Sequence, residues 1–459
     1  MKDQQIGLLT LVMLVVAAMI GVGVFTSSGF ALAALGNPNR VLMVWCVCGA
    51  WAMTGAVAYG ALVRRVPLSG GEYLFLSRLV HPSVGFLAGW ISLVAGFTAP
   101  IAASAKAVVA YGLPSVTSSA AANTIASAII VMACVFHAMR TSVGTTAQNA
   151  IVLIKLGFIA LLLLWAFGAS PAIAWLGSAL PNREVSTFPI SASGWVTFFA
   201  AMSWIAFSYA GFNAAVYVAG ESRAAQRNVP LAMLWATGLV TLIYLLLNVV
   251  FVWAPSSIAV VSDDASKASI AAMATRALGG APMETLTRAI ISLAVLSSVF
   301  GMLLAGPRVY MQMARDGVMP RLLRTVGEVP RRAIVMQGVL SVGVVWLTQL
   351  NEIIGYLGMT LSACSALAVA AIWRLGQSDL ARQATLDYPL SWVEHSAAAI
   401  YIFGTVVMLS AVLIEGQRMG ELLAMLATFV IGWLIYFVWS RQGAVSDMGQ
   451  LARSKVDAP

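Results

Sequence analysis

The sequence predicts an all-α polytopic membrane protein with twelve transmembrane helices, and three observations carry that prediction. Hydrophobic residues make up 60% of the chain and charged residues only 9%, with a mean hydropathy of +0.90; soluble domains run near a quarter charged. Several apolar runs exceed the roughly 18 residues that cross a hydrocarbon core. Two of those runs are broken near their middle, at Ile20-Gly21-Val22-Gly23-Val24-Phe25 and at Phe207-Ser208-Tyr209-Ala210-Gly211-Phe212-Asn213. Each interior glycine costs about 1 kcal/mol of helix propensity. In lipid, non-helical backbone survives only where protein or a cavity covers it.

The first span covers residues 7–35 and holds the first break. Met1-Lys2-Asp3 leads straight into it, with no leader-type cleavage pattern. The turn cluster Gly36-Asn37-Pro38-Asn39 separates it from the second span, 41–63. The connection Arg64-Arg65-Val66-Pro67-Leu68-Ser69-Gly70-Gly71-Glu72-Tyr73 then leads to a long third span, 84–111, which Gly112-Leu113-Pro114 ends. The fourth and fifth spans cover 122–139 and 143–167, and a loop with Pro171, Pro181 and Pro189 follows.

The sixth span, 195–220, carries the second break and ends at Glu221-Ser222-Arg223. The seventh covers 231–253. The loop 255–283 holds Asp263, Asp264 and Lys267 and is expected to lie in water. The long eighth span, 286–313, precedes the most basic connection, 315–332. Spans nine to twelve are 334–350, 353–373, 392–414 and 422–439, with a short polar tail to Pro459.

With the N-terminus in the cytoplasm, most of the 26 Lys and Arg residues fall in cytoplasmic segments, as the positive-inside bias requires. The net charge of +9 therefore needs no nucleic-acid partner. Both termini are expected in the cytoplasm, in a multi-pass cell-membrane protein.

Spans six to ten echo spans one to five: each set opens with a broken helix and has a long third one. Five helices is an odd number, so the two sets insert upside-down relative to each other. Residues 1–170 form the first repeat and 190–376 the second; 388–440 hold the last two helices, and 441–459 a cytoplasmic tail.

Unwinding a helix in mid-membrane exposes N–H groups at the start of its second half, which suit a carboxylate, and carbonyls at the end of its first half, which suit an ammonium. An α-amino acid carries both charges on one carbon. The carboxylate is expected at the N–H groups of Val22 and Gly23, with Ile20 and Gly21 in the break and Gly21 allowing close approach. The ammonium is expected at the carbonyls of Ala18, Met19, Phe207 and Ala210, with Gly211 and Asn213 completing the second break.

Lys155 lies near the middle of the fifth span, where an unpaired Lys costs about 2.5–3.5 kcal/mol. No Asp or Glu is read inside a span, so its ammonium must meet carbonyls of the first break and the Ser297-Ser298 region. It is expected to act as a built-in cation that can exchange a proton during a cycle. Lys106, near the outer end of the third span, is expected to snorkel. The cysteines Cys46, Cys48, Cys134 and Cys364 lie in apolar runs and read as small buried hydrophobes. His81, His137 and His395 are dispersed, so neither a metal site nor a cofactor is expected.

These stretches resemble the amino acid–polyamine–organocation superfamily, and within it the L-type amino acid transporters and their bacterial relatives. The resemblance rests on residues 20–25, Pro67 to Tyr73, 149–156 with Lys155, Phe207 to Asn213 with Glu221, and the segment from Pro307-Arg308-Val309-Tyr310 through Ala314-Arg315-Asp316-Gly317-Val318-Met319-Pro320. It implies the LeuT-type 5+5 inverted-repeat fold with broken helices 1 and 6 plus two extra helices. It also implies sodium-independent amino acid transport by alternating access, an aromatic gate at Phe207 and a cation-mimicking role for Lys155. The family's first motif usually reads Gly-Ser-Gly, so Val22 here removes a hydroxyl contact to the carboxylate. Animal members carry a Cys in the loop after the third helix for a disulfide-linked heavy chain; residues 112–121 have none, and no such partner is expected.

The expected function is secondary transport of amino acids, neutral rather than cationic, as exchanger or proton-coupled symporter, with the amino acid and the lipid bilayer as partners. Carriage of cationic amino acids or polyamines, and a non-transporting sensor on the same fold, are the alternatives. An enzyme would need a reactive cluster in the spans, and a channel a continuous polar lining; the sequence shows neither.

Overall fold

The computed structural model describes residues 6–139, 145–169, 191–254, 267, 269–315, 319, 321–323, 330–377 and 379–441. Pro171, Pro181, Pro189, Asp263, Asp264, much of the basic connection 315–332 and the tail beyond Arg441 lie outside them, as does the side chain of Asn149.

The described residues are helical throughout, apart from short turns and one isolated bridge between Ile6 and Ser222. The first span is two helices, α1 (Leu8–Met19) and α2 (Val22–Leu35), bent by 42° at Ile20-Gly21. Helix α3 (Pro38–Arg65) starts on Asn37, whose side chain accepts from the Asn39 N–H, with Pro38 at its first position. The connection after it is not all loop: Gly71–Leu79 forms a short helix, α4. Gly70 and Gly71 turn the chain into it with φ of +142° and +61°, values that exclude most side chains. The long third span is α5 (Pro82–Ile91), a π-helical stretch (Ser92–Thr98) and α6 (Ala99–Gly112). Helices α7 (Ser119–Met139) and α8 (Thr145–Ala169) follow.

The sixth span is α9 (Ala192–Tyr209), a tight turn, and a 3-10 helix, Ala214–Glu221. Helices α10 (Ala225–Trp253), α11 (Ile270–Arg315), α12 (Arg331–Leu347), α13 (Leu350–Ala370), α14 (Asp379–Asp387), α15 (Trp392–Glu415) and α16 (Met419–Arg441) complete the bundle. Nine helices among the described residues are long and apolar enough to cross a membrane, or ten if α1 and α2 form one span. Helix α12, at 17 residues, and the apolar part of α8, Leu153–Gly168, fall short of that length. Outer faces carry Leu161, Leu164, Trp235, Leu293, Phe403 and Ile414 exposed. A surface so apolar belongs in lipid, and the protein is a multi-pass membrane protein.

The broken segments occupy the centre. Helix α1 packs on α10 and on the 3-10 helix, α2 packs on α9, and α9 also touches α3, α13 and α15.

Three expectations need correction. The loop 255–283 does not simply lie in water: Ile270, Ala271, Ala272 and Ala274 are buried at the start of α11, and the Lys267 carbonyl sits against Gly29 of α2. Cys46 is exposed and Cys134 only partly buried, because their helices turn those positions outward. Finally, carboxylates do enter the bundle, and one of them, Glu394, lies inside the eleventh span, 392–414, in the sequence itself. Glu394, the third residue of α15, is buried in a pair with Arg65 at 3.0 Å. Glu421 near the start of α16 is buried beside Arg418 at 3.8 Å. Neither faces Lys155 in an ion pair.

Candidate functional site

At the first break, Ile20 leaves the helix at φ −77°, ψ 90°, and Gly21 is extended at φ −130°, ψ −154°. Gly21 offers no side-chain cap to α2. The first N–H groups of α2, those of Val22 and Gly23 among them, therefore lack the partner that a Ser or Asp cap supplies. They carry the positive pole of a buried helix.

The second break has a different build. Ala210 N–H donates to the Phe207 carbonyl at 3.1 Å, Phe212 to Tyr209 at 3.1 Å, and Ala214 to Gly211 at 3.0 Å. The chain turns through these i→i+3 bonds, and the Phe207 carbonyl expected for an ammonium already accepts one.

The breaks meet backbone to backbone. A Cβ on Gly211 would lie 2.5 Å from the Ala18 carbonyl carbon and 2.7 Å from the Met19 nitrogen, so only glycine lets the turn settle there. Gly23 lies equally close to Ser208. Tyr244 of α10 ties both ends together: its hydroxyl is 2.6 Å from the Met19 carbonyl, to which it donates, and 3.1 Å from the Ser208 carbonyl. On α2, the Phe25 carbonyl accepts from the Tyr111 hydroxyl at 2.6 Å.

Lys155 of α8 donates to Ser298 Oγ of α11 at 3.1 Å. It shares a small cavity with Ile20, Gly21, Phe25, Phe158 and Val295, with room for about one water. The Ser298 part of the expectation for Lys155 is met; a bond from its ammonium to a carbonyl of the first break is not among the hydrogen bonds of the described residues, and the cavity alone joins it to Ile20 and Gly21. Lys106 pairs with Asn123 of α7 at 2.8 Å. Ala210 lines a second small cavity behind the break, with Trp51, Tyr209, Phe212, Ser362 and Tyr401.

Two predicted residues turn elsewhere. Phe207 joins an apolar cluster with Phe30, Trp204, Leu350 and Ile354, sealed by Arg418, which lies 4.0 Å above the Trp204 ring and donates to the Ala200 carbonyl at 2.6 Å. Asn213 donates to Glu72. The structure therefore brings Ala18, Met19 and Gly211 together, Gly23 next to Ser208, and Ile20 and Gly21 onto one cavity with Lys155. Tyr244 and Glu72 were missed by sequence reasoning. Tyr244 has a polar neighbour one turn on, Asn248, which bonds Ser28 of α2; two polar residues in one apolar run were the available signal.

A family model described as amino acid permease matches residues 6–439 of the chain. The b(0,+)-type amino acid transporter 1 of Mus musculus is 23% identical over 369 residues, 77% of this chain and 72% of that protein. The serine/threonine exchanger SteT of Bacillus subtilis (strain 168) is 27% identical over 327 residues, 69% of each chain. An uncharacterized transporter of Mycobacterium tuberculosis is 26% identical over 456 residues, 98% of this chain and 95% of that one. The chain belongs to the amino acid permease family of the amino acid–polyamine–organocation superfamily; its relatives are transporters, not enzymes.

Proposed function

We propose that this amino acid permease is a secondary carrier of neutral amino acids that works without sodium, by alternating access across the cytoplasmic membrane. In this reading, twelve helices form two inverted repeats, 1–170 and 190–376, with 388–440 outside the repeat and both termini in the cytoplasm. The observation that carries it is the contact of two helix breaks at the centre of the bundle, with Lys155 opening on one of them. The substrate carboxylate takes the N–H groups of Val22 and Gly23. The ammonium takes carbonyls of Ala18, Met19 and Ala210, and Phe207 acts as the gate only by leaving its cluster with Phe30 and Trp204. Because Gly211 rests on Ala18 and Met19, a substrate enters only when the second break moves off the first.

Lys155 stands where a coupling cation would otherwise sit, which supports sodium independence. Exchange is favoured over symport by the likeness to a serine/threonine exchanger. The test is uptake of a radiolabelled panel of neutral and cationic amino acids into liposomes holding the purified protein, with and without internal substrate. Uptake of neutral amino acids that needs internal substrate is expected. Uptake driven by a proton gradient alone would replace exchange with symport, and no uptake of any amino acid would overturn the reading.

A further inference from the structure

Glu72 is buried at the start of α4 and receives three hydrogen bonds from neutral donors. Tyr59 of α3 donates to Oε1 at 2.9 Å, Asn213 at the end of the second break donates to the same oxygen, and Tyr217 of the 3-10 helix donates to Oε2. Among the described residues no Lys or Arg forms an ion pair with it. A carboxylate taken out of water costs several kcal/mol unless hydrogen bonds replace its hydration. Charge-assisted bonds are about twice as strong as neutral ones, and the first turn of a helix favours an acid.

The surroundings make this a junction. A Cβ on Gly71 would lie 2.5 Å from the Tyr217 ring, Gly220 N–H donates to Ser69 Oγ at 2.9 Å, and Ile6 exchanges backbone bonds with Glu221 and Arg223 at 3.0 Å. The N-terminal end of α1, the α3–α4 connection and the inner half of the second broken helix are thus fastened at one place. Glu72 is the acceptor in that fastening. Asn213 is two residues from Gly211, the residue that rests on the first break.

We propose that Glu72 is a positioning residue for alternating access: it holds the inner half of the second broken helix shut on the cytoplasmic side and releases it when that side opens. The inference rests on the carrier reading above. Because Asn213 joins the latch to the break, movement of the second break on substrate binding is transmitted to Glu72 through two residues of backbone.

The test is Glu72→Gln, which keeps the size and removes the charge, compared with Tyr217→Phe, which removes one donor. Transport is measured in right-side-out and inside-out membrane vesicles. Loss of the latch populates the inward-facing state and taxes outside binding by the lost fraction. For Glu72→Gln the outside KM is expected to rise and the inside KM to fall, the two changes together amounting to about tenfold in their ratio, the size of one charge-assisted hydrogen bond of about 1.5 kcal/mol. Tyr217→Phe shifts the same way by less.

A second readout is maleimide labelling followed by mass spectrometry. Cys364, buried on α13, which packs against α4, is expected to label faster in Glu72→Gln while buried Cys48 stays protected. Equal KM changes on both faces, or equal labelling of both cysteines, would overturn the latch and show only a weaker fold. Absence of transport by the wild type in the same vesicles would instead count against the carrier reading.

Discussion

The first break spans two residues and leaves the start of α2 without a side-chain cap; the second spans four and is crossed by three i→i+3 backbone bonds. Opposite charges stand behind them. Lys155 faces the first across a cavity large enough for about one water, and Glu72 grips the end of the second through Asn213. In the proposed carrier, the first break, without a side-chain cap, receives the ligand's charge, and the second, fastened to Glu72, moves and carries the signal to the cytoplasmic side. On that proposal the difference between the breaks divides binding from gating.

The contact between them is the place where the largest effect is expected. Gly211→Val puts a branched side chain into the Ala18 and Met19 backbone, which cannot yield as a side chain tip can. Uptake is expected to fall below detection in vesicles whose protein remains monodisperse by size-exclusion chromatography. Retained uptake would mean that the breaks need not touch. Lys155→Met removes the cation behind the first break and keeps most of its volume. Exchange is expected to drop by more than about tenfold, within the usual range of coupling between sites, and Glu72→Gln in the same background should add little. A Lys155→Met protein with normal exchange would make Lys155 a tether to Ser298 alone.

Gly21→Ala separates packing from substrate approach. The position has open space around it and a φ that any residue adopts, so thermal stability should hold. A methyl there would meet the carboxylate, and KM is expected to rise about tenfold, the loss of about one charge-assisted bond. An unchanged KM would move the carboxylate off the first break. The smallest change is expected from Tyr244→Phe, which removes the hydroxyl that ties the Met19 and Ser208 carbonyls and so loosens the position of the carbonyls the ammonium needs. KM should rise about fivefold for a neutral hydrogen bond of about 1 kcal/mol, measured as uptake against external concentration.

Much of this arrangement is legible in the chain. Gly21 and the Ala210-Gly211 pair mark backbone that leaves the helix, and a lone Lys in an apolar run has to face something polar. Those are local signals, and each falls on an element that the structure places at the centre. Glu72 gave no such signal. It sits between spans in a polar stretch that a hydropathy reading assigns to water, and its burial depends on Asn213 and Tyr217, 141 and 145 residues away in sequence. Tyr244 reads as one more aromatic in an apolar helix until its hydroxyl is seen on the Met19 carbonyl. The 3-10 closure of the second break also escapes the sequence, because small residues permit either an open or a bonded turn.

The central claim is that the first break and the turn above it read the two charges of an amino acid through backbone groups. Competition binding tests it most directly, using the best transported amino acid, its methyl ester and its N-acetyl derivative on detergent-purified protein. The account predicts that both derivatives compete more than about 100-fold more weakly than the parent, since each removes a charge the site reads and leaves buried polar groups unpaired. Competition by either derivative at parent strength would contradict it.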